Sequence, residues 1–106
     1  MTRQFPAIAI PYDEIAAFCE RHHIRKLSLF GSVLREDFRE AGDDPSDVDV
    51  LAEFEKGHTP GWEIVSMENE ISDIMGRKVD FRTPAELSPH FRQKVLEGAV
   101  TLYERI

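Results

Sequence analysis

Residues 48–54, Val48-Asp49-Val50-Leu51-Ala52-Glu53-Phe54, constrain the fold more than any other stretch. Successive side chains on a strand point to opposite faces. Val48, Val50, Ala52 and Phe54 therefore form one wholly apolar face. Asp47, Asp49, Leu51 and Glu53 take the other. A strand of this kind needs a packed layer on its apolar side. Aspartate is a poor strand former, so two at alternate positions ask for a reason. Their Cα atoms lie about 6–7 Å apart by the strand rise, close enough for both carboxylates to reach one metal ion.

The rest of the chain supplies helices and a few more strands. Pro11, Asp13 and Glu14 suit a helix start, and Ile15, Phe18, Cys19 and His22 recur at helical spacing, predicting a helix over 11–23. Lys26–Phe30 reads as a strand ending in the turn Gly31-Ser32. A short helix is expected over 33–39, then a turn-rich acidic connection over 40–46 containing Gly42, Asp43, Asp44 and Pro45. Thr59 and Pro60 open a helix over 60–75 with the apolar stripe Ile64, Met67, Ile71 and Ile74, flanked by Val65 and Met75 and closed by Gly76. Trp62 is expected to anchor its first turn. Lys78–Arg82 is a third strand, with Val79 and Phe81 on one side and Asp80 on the other. Thr83-Pro84 and Ser88-Pro89 are helix starts, the second opening a helix over 89–97, and 100–103 form a last strand or tail.

The chain has 106 residues, which suits one domain over residues 1–106. Its apolar faces are complete if helices pack on one side of a small sheet, an α+β arrangement with Asp47, Asp49 and Asp80 on the other side. The longest apolar runs are a few residues, so no membrane span is expected. With one cysteine, a disulfide framework and a cysteine-based zinc site are excluded, and a reducing cytoplasm is the expected home. Thirteen basic residues against twenty acidic ones give a net charge of −7, which argues against direct nucleic-acid binding. A single nucleotide carrying its own magnesium escapes that objection.

Three carboxylates on two strands are a sensible number for two divalent ions, which can clamp the attacking and leaving oxygens of a phosphoryl displacement. Gly31 lets the backbone approach a ligand, and the amides after it, with the Ser32 hydroxyl, suit an anion. Arg35, Lys78 and Arg82 could each pair with a phosphate, although such residues are more often solvated charges. His22-His23 is a poor chelating pair, because adjacent helix residues point about 100° apart. His58 and His90 fall at loop or helix-start positions.

Gly31-Ser32, Arg35, Ser46-Asp47-x-Asp49 and Val79-Asp80-Phe81 resemble the nucleotidyltransferase superfamily related to DNA polymerase beta. The small size is similar to its minimal nucleotidyltransferases, the antitoxins of HEPN toxin–antitoxin pairs. Thr83-Pro84-x-x-Leu87-Ser88-Pro89, Val95-Leu96 and Leu102-Tyr103-Glu104 resemble the tail of that family. The resemblance implies a mixed sheet with flanking helices and two magnesium ions, or manganese in their place, on Asp47, Asp49 and Asp80. Asp80 would also accept the proton of the attacking hydroxyl. It implies nucleotide binding by Gly31, Ser32 and Arg35. The reaction implied is transfer of AMP from ATP to a hydroxyl, a tyrosine of the cognate HEPN toxin, in a complex of the two proteins. Two other readings are an antitoxin that acts by binding alone, and a small-molecule nucleotidyltransferase of the antibiotic-modifying kind. The connection from Ser32 to Asp47 is longer than the compact form, and Glu36 stands where glycine is usual.

Overall fold

The structure is a computed structural model and describes residues 10–31 and 47–105. Ser32, Arg35, Glu36, the helix expected over 33–39 and the acidic connection at 40–46 lie outside the described residues.

Helix α1 (Tyr12–Arg21) buries Ile15, Phe18 and Cys19. Strand β1 (Ile24–Phe30) follows after a two-residue turn in which His23 adopts φ +57°. Strand β2 (Val48–Phe54) has the bounds its alternation predicts. Helix α2 (Glu63–Met75) ends at Gly76 in the left-handed conformation, φ 70°, which costs glycine little. Strand β3 is Val79–Arg82, then a 3-10 turn covers Pro84–Glu86. Helix α3 (Pro89–Gly98) opens at Ser88, whose hydroxyl accepts from the Phe91 amide at 3.3 Å. Strand β4 is Val100–Glu104.

Two expectations are corrected. The third helix begins at Glu63, not Pro60, because residues 57–62 turn first, with Gly57 at φ 84° and the Gly61 amide donating to Glu63 Oε2 at 2.9 Å. Trp62 does not anchor that turn: its side chain is 93% exposed. Val65 likewise faces outward, leaving Met67 and Ile71 as the buried part of the stripe.

The four strands form one mixed sheet in the order β3-β2-β1-β4. β1 is antiparallel to both β2 and β4, and β2 is parallel to β3. Val48, Val50 and Ala52 join Leu27, Leu29, Val79 and Phe81 under helices α1 and α2, through Phe18 and Ile15 of α1 and Met67 and Ile71 of α2. The one-sided packing that the strand alternation calls for holds for these two helices. The last helix adds a smaller cluster on the opposite face, where Val95 packs on Phe30 and Leu51. That face keeps its acidic residues beside this patch. Among the described residues, no helix is long and apolar enough to cross a membrane.

Candidate active site

Cross-strand register decides which side chains meet on the partly open face. Phe30 of β1 lies opposite Asp49 of β2, and Asp49 lies opposite Asp80 of β3. Residues paired across adjacent strands share a face with Cβ atoms about 5 Å apart. The next row along is Ser28, Leu51 and Arg82. Leu51 fills the floor and is fully buried, so the acids stand at the edge of a packed base.

An open cleft of about 320 Å³ lies over the first row, lined by Phe30, Gly31, Asp49, Asp80, Arg82, Leu87 and Phe91. Gly31 takes φ 75°, a left-handed value that disfavours any other residue. Its position is tight as well, since a Cβ built there would overlap Asp49 Oδ2. The turn after β1 therefore presses its backbone against a carboxylate, which any side chain at this position would have to push aside.

The expected acids do not all stand alike. Asp49 and Asp80 share the cleft. Asp47, just before β2, is half exposed, with Lys78 Nζ 3.8 Å from its Oδ2. Among the described residues, no three histidine, cysteine, aspartate or glutamate side chains converge closely enough to cage a metal. Magnesium does not require a cage: it is held by one or two carboxylates and completes its shell with water and substrate phosphate. Two hard oxygen donors in register beside a glycine turn fit that pattern. Of the expected nucleotide contacts, Gly31 is in the cleft, while Ser32 and Arg35 fall outside the described residues.

Arg82 enters the site more firmly than its sequence position suggests. Its Nε lies 3.1 Å from Asp80 Oδ1, and its Nη2 donates to Asp80 Oδ2 at 3.3 Å. Its Nη1 reaches Glu86 Oε2 at 3.4 Å. Asp80 first, then Glu86, holds the guanidinium pKa above its ordinary value. The signal was the i, i+2 spacing of Asp80 and Arg82, which puts both on one face of a strand. Phe91 was not singled out and Leu87 only as part of the family-like tail; both line the cleft, and Leu87 packs by Phe30 and Leu51 on this face. Arg92 is tied down instead, donating to the carbonyls of Pro84 (2.7 Å) and Leu87 (3.0 Å).

His22, His23 and His58 lie at the other end of the sheet. His22 bonds Glu70 (2.8 Å), and the rings of His23 and His58 stack with centroids 3.9 Å apart. Burial raises the Glu70 carboxyl pKa, but hydrogen bonds from His22 and Arg21 reverse this and leave it below its ordinary value. His90 is exposed on α3. None of the four lines the acid cleft.

Residues 13–106 match the family described as Polymerase beta, Nucleotidyltransferase. A Methanocaldococcus jannaschii protein that carries the name "Putative protein adenylyltransferase" is 30% identical over 80 residues, covering 76% of this chain and 81% of its own length. A second from that organism, similarly named, is 28% identical over 82 residues, covering 76% and 79%. A solved structure described as a minimal nucleotidyltransferase superposes with a TM-score of 0.66 at 29% identity, covering 84% of this chain and 86% of that one. The fold is shared too by a chain of the complex between a tri-AMPylated Shewanella oneidensis HEPN toxin and its MNT antitoxin, with a TM-score of 0.63 at 14% identity, covering 89% and 70%. With the family matched along nearly its whole length and an aspartate row set beside a glycine turn, this chain belongs to the polymerase beta nucleotidyltransferase family.

Proposed function

We propose that this chain transfers AMP from ATP to a tyrosine hydroxyl of a cognate HEPN toxin in the cytoplasm, and so acts as its antitoxin. The observation that carries the reading is the row of Asp49 and Asp80 in register on adjacent strands, open to a cleft that Gly31 also lines. Asp47, Asp49 and Asp80 would hold the two magnesium ions. When bound, these supply charge stabilisation at the phosphoryl group.

The chain's own residues do the rest. The Gly31 turn, with Ser32 and Arg35 after it, receives the triphosphate on backbone amides and a hydroxyl. Asp80 takes the proton of the attacking hydroxyl. A tyrosine hydroxyl is weakly nucleophilic at neutral pH, so a positioned base matters. The acceptor oxygen bonds to the α-phosphorus, the bond to the β-phosphate oxygen breaks, and pyrophosphate leaves with that electron pair. The acidic surface, with a net charge of −7, disfavours a polyanionic acceptor and suits a basic protein partner. The related chains from a toxin complex with AMP-PNP and from an AMPylated-toxin complex support the same reading.

A second reading has its own observation. Lys78 sits by Asp47 and Arg82 clasps Asp80, so these acids are already partly neutralised, as suits an antitoxin that acts by covering its partner. One experiment separates the two. The protein is incubated with the product of its neighbouring gene, ATP and magnesium, and that protein's intact mass is measured. Added AMP masses with wild type, and none with Asp80→Asn, support transfer. Suppression of the partner without added mass supports binding alone.

A further inference from the structure

We propose that Arg82 is a built-in counter-ion that opposes bare divalent cations at Asp80 and is handed to polyphosphate when a nucleotide enters. This deepens the proposed function, since it takes Asp80 as a metal-binding acid of that site.

The geometry carries the argument. Arg82 contacts both oxygens of Asp80, Nε to Oδ1 at 3.1 Å and Nη2 to Oδ2 at 3.3 Å. Those oxygens are the ones a cation would need, and a guanidinium lying against both of them sets a like charge against an incoming cation. Arg82 thus occupies the position of positive charge in the nucleotide-free cleft. The clasp is easily released, because both side chains are substantially exposed, 47% for Arg82 and 35% for Asp80, and exposed pairs are weak. The same planar fork pairs equally well with phosphate. Arg82 lines the cleft beside Gly31, so a phosphate on that turn is the natural recipient.

Among the described residues, the other basic groups nearby do not fit this role. Arg92 is spent on the backbone carbonyls of Pro84 and Leu87. Lys78 stands 3.8 Å from Asp47, is 77% exposed and makes a single approach. Glu86 completes the device. It lies one helical-turn spacing from Arg82, with Oε2 3.4 Å from Nη1, and keeps the guanidinium at the cleft mouth after Asp80 is released. The cleft therefore holds cation and polyphosphate best together, and cation alone poorly.

The test uses the full chain and two separate probes, manganese alone and inorganic tripolyphosphate alone, each titrated by calorimetry. In Arg82→Gln, manganese should bind about two- to fivefold tighter, the size expected for losing an exposed opposing pair. Tripolyphosphate should bind roughly tenfold weaker, as for loss of a charge-assisted hydrogen bond. Arg82→Lys keeps the charge but loses the fork, and should fall between. In an Asp80→Asn background, Arg82→Gln should no longer change manganese affinity. Opposite movement of the two affinities supports the proposal. Both moving together, or manganese binding unchanged or weaker, overturns it and leaves Arg82 a structural clasp. Neither titration involves turnover, so failure of AMP transfer and failure of this inference are distinct results.

Discussion

Gly31→Ala is the sharpest probe of the site, because two separate penalties act at one atom. The first is conformational. At φ 75° an alanine pays the left-handed penalty of about 1–2 kcal/mol. The second is steric, since the new methyl overlaps Asp49 Oδ2. Asp49 must then leave its rotamer well, at a cost of about 0.5–1.5 kcal/mol. Together these predict a loss of about 1.5–3.5 kcal/mol, and each kcal/mol lowers the melting temperature of a domain this size by about 4–8 °C.

The two penalties separate in a double-mutant cycle. With Asp49→Ala the carboxylate is gone, and the atom left facing the new methyl is the residue 49 Cβ at 3.5 Å, an ordinary contact. Gly31→Ala should then cost only its conformational part, giving a coupling of about 0.5–1.5 kcal/mol in favour of the double variant. Urea unfolding is best followed by far-UV circular dichroism, because the sole tryptophan, Trp62, is 93% exposed in the folded protein and reports unfolding poorly. Equal costs in both backgrounds would refute the reasoning, by showing that Asp49 does not rest against the turn.

Asp49→Asn should abolish AMP transfer while the metal-free melting temperature stays level or rises, since carboxylates gathered around one cleft repel each other; a clear fall in a calorimetric melt would make Asp49 structural. Burial first, and Glu20 second, pushes the Cys19 thiol up to about 12. A raised pKa means the folded state keeps its proton while the unfolded chain ionises from about 9 upward. Stability should therefore be whole below pH 9 and fall by up to about 1.4 kcal/mol per pH unit between 9 and 12. Urea midpoints across that range check this, and Cys19→Ala should flatten the decline.

Strand β2 was legible to the residue, because its two faces differ in every position that matters: Val48, Val50 and Ala52 against Asp49 and Glu53. Helix α2 was legible in its stripe and its glycine stop but not in its start. Thr59-Pro60 carries a helix-start signal, yet the chain turns through Gly57 and Gly61 first. Trp62 misled because size predicts burial only when a packed surface lies opposite, and its position at the head of α2 faces solvent. The acids were legible as residues, but the Asp49–Asp80 pairing was not. It depends on β3 joining β2 in parallel after a thirteen-residue helix, with register set by Val48, Val50, Val79 and Phe81 in the core. Arg82 was visible as a charge, and only the folded strand shows which acid it holds.

Strand direction explains why one end of this sheet can do chemistry. Because β1 and β2 are antiparallel, the end of β1 at Phe30 and Gly31 lies beside the beginning of β2 at Asp49. Helix α2 then carries the chain back, so that parallel β3 begins at the same end and delivers Asp80. Three sequence-distant groups meet there without any of them needing a flexible reach. Helices α1 and α2 lie under the opposite face, and α3 packs on Leu51 and Phe30 beside the acids, which stay partly exposed. At the far end the same strand directions gather His23, Glu55 and Arg105: Arg105 Nη1 donates to both Glu55 oxygens at 2.9 Å, and His23 Nδ1 stands 3.7 Å from Glu55 Oε2. One end of the sheet is thus closed on its own charges. The other opens its acids to a cleft, where the half-exposed Arg82 guanidinium lies against Asp80.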